Sequence, residues 1–167
     1  LRKREHSKIV VVGSIAHKYS TINENDVQFE CVKAPRKVYG NAKRFLMFSL
    51  IKLLEKETSV SISIAHPGIT PTNITSHYPK FVSKVIKYPM KMIFTSPKKA
   101  SLNIIKGIFE NCESDSWIAP RVCGIWGYPK KVKLNTCSEE EQQKIFSIAE
   151  NIYDKLKKKE KKHELGL

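Results

Sequence analysis

Residues Ile9 to Val12, IVVV, place the first constraint on the fold. Four consecutive β-branched residues with no polar alternation read as a strand buried on both faces, as in a parallel sheet. The run stops at Gly13-Ser14. Val60 to Ala65, VSISIA, reads as a second strand that alternates apolar with small polar residues and stops at His66-Pro67-Gly68. Between them, residues 20–37 are polar and irregular, with Asn23, Asn25, Asp26 and Pro35, and form a long loop of the kind that is either functional or disordered. Val38 to Glu57 then reads as a helix whose broad apolar face is Phe45, Phe48, Leu50, Ile51, Leu53 and Leu54. Ser96-Pro97 opens another helix, with serine as cap and proline in the first turn. Its apolar positions are Ala100, Ile104, Ile105, Ile108 and Phe109. Trp117 to Ala119 is a candidate third strand. Ser138 followed by Glu141 makes a capping box for a last helix, buried along Ile145, Ile148, Ala149, Ile152 and Leu156. Strand, helix, strand, helix, short strand is the order of half an α/β sheet protein.

At 167 residues and 41% hydrophobic, the chain can bury one sizeable core. The expected organisation is one domain over residues 1–154 and a frayed, lysine-rich tail over 155–167. The opening LRKREHSK runs straight into IVVVGS without the apolar stretch of a signal peptide, and no apolar run reaches the roughly 20 residues that cross a bilayer. A cytoplasmic protein with no integral membrane segment is expected. Cys31, Cys112, Cys123 and Cys137 show no C-x-x-C pairing and no accompanying histidine cluster, so they read as free thiols with no metal. The net charge of +14 raises nucleic acid or an anionic membrane as a partner. Its distribution argues for solvated faces instead. Six lysines and two glutamates between Lys155 and Glu164 carry +4 of it, and the rest is scattered.

Parallel strands joined by helices place ligands beyond the strand C-terminal ends. Ser14 and the His66–Gly68 turn both lie at such ends, and the intervening helix carries Tyr39 near its start. Tyr39 and Lys43 are i, i+4 partners on one helical face. A free phenol ionises near pH ~10, too high for a base at neutral pH, and an adjacent ammonium favours the phenolate. Such a tyrosine can exchange a proton with an alcohol or carbonyl whose oxygen a serine holds. The same spacing at Tyr153 and Lys157 lies in a lysine run, with no serine or Pro-Gly turn to face it, so spacing alone proves little.

In order, IVVVGSIAH, VYGNAK and VSISIAHPGITPTNI resemble the catalytic, C-terminal half of a short-chain dehydrogenase/reductase, over about Lys8 to Lys157. The gap between Ser14 and Tyr39 and the Ser-x-Ala-His run resemble the retinol-dehydrogenase-like branch of that family. The resemblance implies a Rossmann-type parallel sheet with flanking helices, NAD or NADP as cofactor, and reversible hydride transfer between the nicotinamide and an alcohol or ketone. It implies that Tyr39 gives or takes the proton, that Lys43 lowers the phenol pKa and binds the nicotinamide ribose, and that Ser14 orients substrate. Cofactor contacts are implied at Pro67, Gly68, the backbone of Ile69 and the side chain of Thr72. A homo-oligomer is the family expectation for a full-length chain. The family's glycine-rich turn, T-G-x-x-x-G-x-G, is absent, since none of the seven glycines are grouped in that way. The N-N-A-G strand end and the helix asparagine are also missing, so the resemblance is to the C-terminal half only.

Tyr78 to Phe94 lies where this family keeps its variable substrate lid. Phe81, Val82, Val85, Ile86, Met90 and Met92 there imply a lipophilic substrate. The interleaved Lys80, Lys84, Lys87 and Lys91 also fit a core helix or a membrane-surface segment. His17, His66 and His77 read as structural. Two rival readings stay open: a non-enzymatic remnant, and a basic module for nucleic acid or membrane surfaces.

Overall fold

β1 (Ser7–Val12) and β2 (Val60–Ala65) pair in parallel, with Val12 opposite Ala65. Between them in sequence run a 3-10 turn (Ile15–Tyr19) and helix α1 (Pro35–Glu55). Helix α2 (Pro97–Phe109) follows, then β3 (Ser116–Val122), β4 (Trp126–Lys133) and helix α3 (Glu139–Glu164). This computed structural model describes residues 7–31, 34–55, 59–70, 95–111 and 116–164. The lid sequence from Tyr78 to Phe94, His77, Cys112 and the expected helix end at Glu57 lie outside them. The chain divides into two compact units, Leu1–Ile15 with Ser59–Asn135, and Ala16–Thr58 with Thr136–Leu167.

The first unit holds a four-stranded sheet in the order β1-β2-β3-β4, parallel from β1 to β3 and antiparallel between β3 and β4. β2 runs over the residues its sequence indicates. β1 is less buried than IVVV suggests: only Val11 is fully covered and Val12 is 46% exposed. The reason is its place at the end of the sheet. β4 is absent from the sequence-based expectation, and it is a strand in spite of Pro129, as β3 is in spite of Pro120, residues that disfavour strand interiors. The fold tolerates both. Pro120 lies past the end of β2 beside a register shift, and Pro129 is on the outer strand. Val122 to Ile125 close the hairpin: Ile125 N–H donates to the Val122 carbonyl, and Cys123 and Gly124 both have positive φ, the geometry of a type I′ turn.

Helix α2 starts where expected, with Ser96 Oγ accepting from Lys99 N–H. Its buried face, however, is Ala100, Asn103 and Gly107, while Ile105, Ile108 and Phe109 are exposed. Close approach to the sheet decides this. A Cβ on Gly107 would stand 3.2 Å from Val10 and 3.3 Å from Ala65, so only small side chains fit that face.

In the second unit, α1 packs on α3. The shared core is Met47, Phe48 and Ile51 with Ile145 and Phe146, and not Leu53, which is 44% exposed, or Leu156, at 61%. Ser138 caps α3 through Glu141 N–H. The tail does not fray at Lys155: the helix continues to Glu164, as a run of lysines, good helix formers, permits. Among the described residues no helix is long and apolar enough to cross a membrane. Cys31 and Cys123 are free and exposed, and Cys137 is free and buried.

Candidate active site

Ser14 lies two residues beyond β1 and is buried. Gly13 N–H donates to the Ala65 carbonyl at 2.9 Å, so the chain leaves β1 alongside the point where it leaves β2. His66 N–H then donates to the Ile118 carbonyl at 2.7 Å, and the buried His66 ring stacks on Trp117 with centroids 5.4 Å apart. The turn that follows is held from two sides. Gly68 has φ +84°, and a Cβ there would stand 2.9 Å from the Ile125 carbonyl oxygen and 3.0 Å from Pro120. Glycine is therefore required at this position both by conformation and by the hairpin tip packed against it. Thr95 N–H donates to the Ile69 carbonyl at 3.0 Å, and Thr95 Oγ1 donates to the Ile125 carbonyl. With the Ile69 carbonyl engaged, a cofactor contact through that backbone would use its N–H.

Tyr39 and Lys43 belong to the second unit. Tyr39 is 52% exposed, and Lys43 Nζ lies 5.8 Å from its ring centroid. The pair at Tyr153 and Lys157 has nearly the same geometry, at 5.9 Å. Helical spacing alone produces both, so the two pairs differ only in their neighbourhoods. Gly40, next to Tyr39, is buried where the 3-10 turn crosses α1: a Cβ would stand 2.5 Å from the Ala16 carbonyl oxygen. The structure thus brings Ser14 together with Pro67, Gly68 and Ile69 in one unit, and Tyr39 with Lys43 in the other. Thr72 lies outside the described residues.

Arg44, one residue past Lys43, escaped the sequence reading. It is only 4% exposed. Its guanidinium makes a fork with Glu141, Nε to Oε1 at 2.9 Å and Nη2 to Oε2 at 2.6 Å, and donates to the carbonyls of His17 and Thr136. His17 is fully buried, its Nε2 2.7 Å from Thr136 Oγ1 and its ring edge-on to Phe48. The Ser-x-Ala-His run thus ends in a packing histidine, as the sequence suggests. No local signal joins positions 44 and 141. A capping glutamate is all the sequence offers.

No protein-family model matches the chain, and no curated protein matches it. Its structure is similar to the crystal structure of an uncharacterized protein from Mycobacterium paratuberculosis, with a TM-score of 0.51 and 21% sequence identity. The likeness covers 79% of this chain and 44% of that one, so the chain spans less than half that protein's length. At this identity the likeness concerns the fold: the chain is an α/β protein built on a mostly parallel sheet.

Proposed function

We propose that the chain is the catalytic, C-terminal part of a Rossmann-type short-chain dehydrogenase/reductase, transferring hydride between NAD or NADP and a lipophilic alcohol or ketone. One observation carries the reading. Two adjacent parallel strands end together at Ser14 and at Pro67-Gly68-Ile69, and the helix connecting them bears Tyr39 one turn ahead of Lys43. The sheet edges support it. β4 carries Pro129, Lys130, Lys131 and Lys133, which discourage further pairing, whereas β1 carries one lysine before a β-branched run suited to a sheet interior.

In this reading Tyr39 passes the proton to or from the substrate oxygen, and Ser14 donates a hydrogen bond that orients the same oxygen. Lys43 favours the phenolate and binds the nicotinamide ribose, and Pro67, Gly68, the Ile69 N–H and Thr72 border the nicotinamide end. When bound, the nicotinamide supplies or accepts the hydride. These residues suit that end of the cofactor; the ungrouped glycines offer no cradle for the pyrophosphate.

The test is hydride transfer, followed by nicotinamide absorbance, in a polypeptide that joins this chain to a glycine-rich nucleotide-binding half. Tyr39→Phe keeps the ring but removes the proton, and should cost about 10²–10⁴-fold in rate with little change in cofactor affinity. Lys43→Ala should weaken both. Tyr153→Phe, the geometric control, should change neither. Retention of most of the rate by Tyr39→Phe would refute the proposal.

A further inference from the structure

The loop between the 3-10 turn and α1 closes on itself and leaves a cavity of about 340 Å³, walled by Tyr19, Ser20, Ile22, Asn23, Phe29 and Lys37. That is the low end of the roughly 300–1,000 Å³ of ligand clefts, room for a one- or two-ring body. Three features of its walls are unusual for a surface loop. Phe29 stands at φ +56°, a region that costs a bulky residue energy and persists only where its surroundings enforce it. They do so here. Phe29 N–H donates to the Asp26 carbonyl, and the Asp26 carboxylate accepts from Glu30 N–H at 2.7 Å and Cys31 N–H at 3.0 Å. Asn23 Oδ1 accepts from Asn25 N–H, and Ser20 Oγ donates to the Lys37 carbonyl. These hydrogen bonds hold Phe29 in its strained conformation, and both Phe29 and the largely exposed Tyr19 line the cavity.

The second feature is charge. Among the described residues Lys37 is the cation of the wall, no acid lines the cavity, and the Lys37 ammonium has no partner. The third is its position. The first turn of α1 contains no acid and carries Arg36 and Lys37, the reverse of what a helix N-terminus favours. An anion beside them relieves that repulsion. The helix end itself gives little. Pro35 has no N–H, and those of Lys37 and Val38 both donate to the Ala34 carbonyl. One ammonium without a cluster of backbone donors suits a carboxylate better than a phosphate.

We infer that this cavity is a binding site for a compact aromatic carboxylate, its ring between Tyr19 and Phe29 and its anion on Lys37. Ser20 ties the cavity to the candidate catalytic helix: its Cβ lies 3.1 Å from where a Cβ on Gly40, the residue after Tyr39, would stand. The further step, that the carboxylate is the remote end of the reduced or oxidised substrate, rests on the proposed function.

Amide shifts of the 167-residue chain, titrated with 2-naphthoate in the absence of nicotinamide nucleotide, test the site. Saturable shifts confined to residues 19–23, 29 and 37 are expected, with 2-naphthylmethanol binding about tenfold more weakly for want of the charge-assisted bond. Lys37→Gln should erase that difference. Phe29→Gly removes the ring and also relieves the positive φ, so it should fold at least as well while weakening both ligands alike. Equal affinity for acid and alcohol, or affinities unmoved by both variants, would overturn the inference. If naphthoate binds as described but Tyr39→Phe spares hydride transfer, the dehydrogenase reading falls and the site stands. If turnover depends on Tyr39 but no carboxylate preference appears, the site falls alone.

Discussion

Gly40 shows how tightly one residue can be fixed. Its missing side chain is the space into which the Ala16 carbonyl and Ser20 fit. Gly40→Ala must push backbone rather than a flexible side-chain tip, so a loss of about 1–3 kcal/mol in urea unfolding is expected, as for overpacked cores. An unchanged midpoint would mean that the 3-10 turn moves away at little cost. Cys137 is fixed by burial in another sense. Desolvation pushes its thiol from an ordinary 9.0 up to about 12, against a downward pull from Arg44. At pH 8 roughly one molecule in ten thousand then carries the thiolate, which is the nucleophile. Peptide mapping after brief alkylation of the folded protein should find Cys31 and Cys123 modified and Cys137 spared. The same shift has a sign for stability. The folded state keeps a proton that the unfolded state loses, so the contribution is present below pH 9 and fades as pH rises towards 12. Cys137→Ala should therefore flatten the alkaline limb of the stability profile.

α1 and α3 are joined by more than apolar contact. The Arg44–Glu141 fork and the ion pair of buried Lys52 with the exposed Glu139 link the two helices, and Lys52 also pairs with Glu55 on its own helix. Hydrogen bonding to Glu139 raises the Lys52 pKa despite the opposing effect of burial. Arg44→Met should fill the volume but strand Glu141 and the carbonyls of His17 and Thr136. Breaking a buried pair costs about 3–5 kcal/mol, and Glu141 keeps some contact with solvent, so about 2–4 kcal/mol is expected by chemical denaturation. The double variant Arg44→Met, Glu141→Gln should recover part of the loss, because no unpaired carboxylate remains. A single variant as stable as the parent would show that the fork adds nothing.

Over the whole molecule, part of the charge excess, +4 of +14, lies in helical turns away from the packed core. Residues 153–160 of α3 are exposed, Tyr153 and Leu156 included, although the helix continues through them. Removing Lys155 to Leu167 should shorten the helix and lower the net charge by about four, with a change in unfolding free energy below about 0.5 kcal/mol. Circular dichroism should register the lost turns, and the melting temperature should hold. A large drop would mean that the terminal turns dock on the body.

Features settled within a few residues were legible in the sequence. Val60 to Ala65 is a strand because its run ends at a Pro-Gly turn. Ser96 and Ser138 begin helices because their hydroxyls reach nearby N–H groups, and Tyr39 and Lys43 share a face because a helix repeats every 3.6 residues. Ser14, Tyr39, Lys43 and Pro67-Gly68 could be singled out for the same reason, each being read from its own short motif. What only the tertiary structure decided depends on segments far apart in sequence. The β3–β4 hairpin forms despite two prolines because one lies past the end of the partner strand and the other is on the outermost strand. The buried face of α2 is small rather than isoleucine-rich because the sheet comes within van der Waals contact of Gly107. Arg44 becomes a buried anchor because folding brings Glu141 to it across 97 positions, a partner that no periodicity or cap could announce.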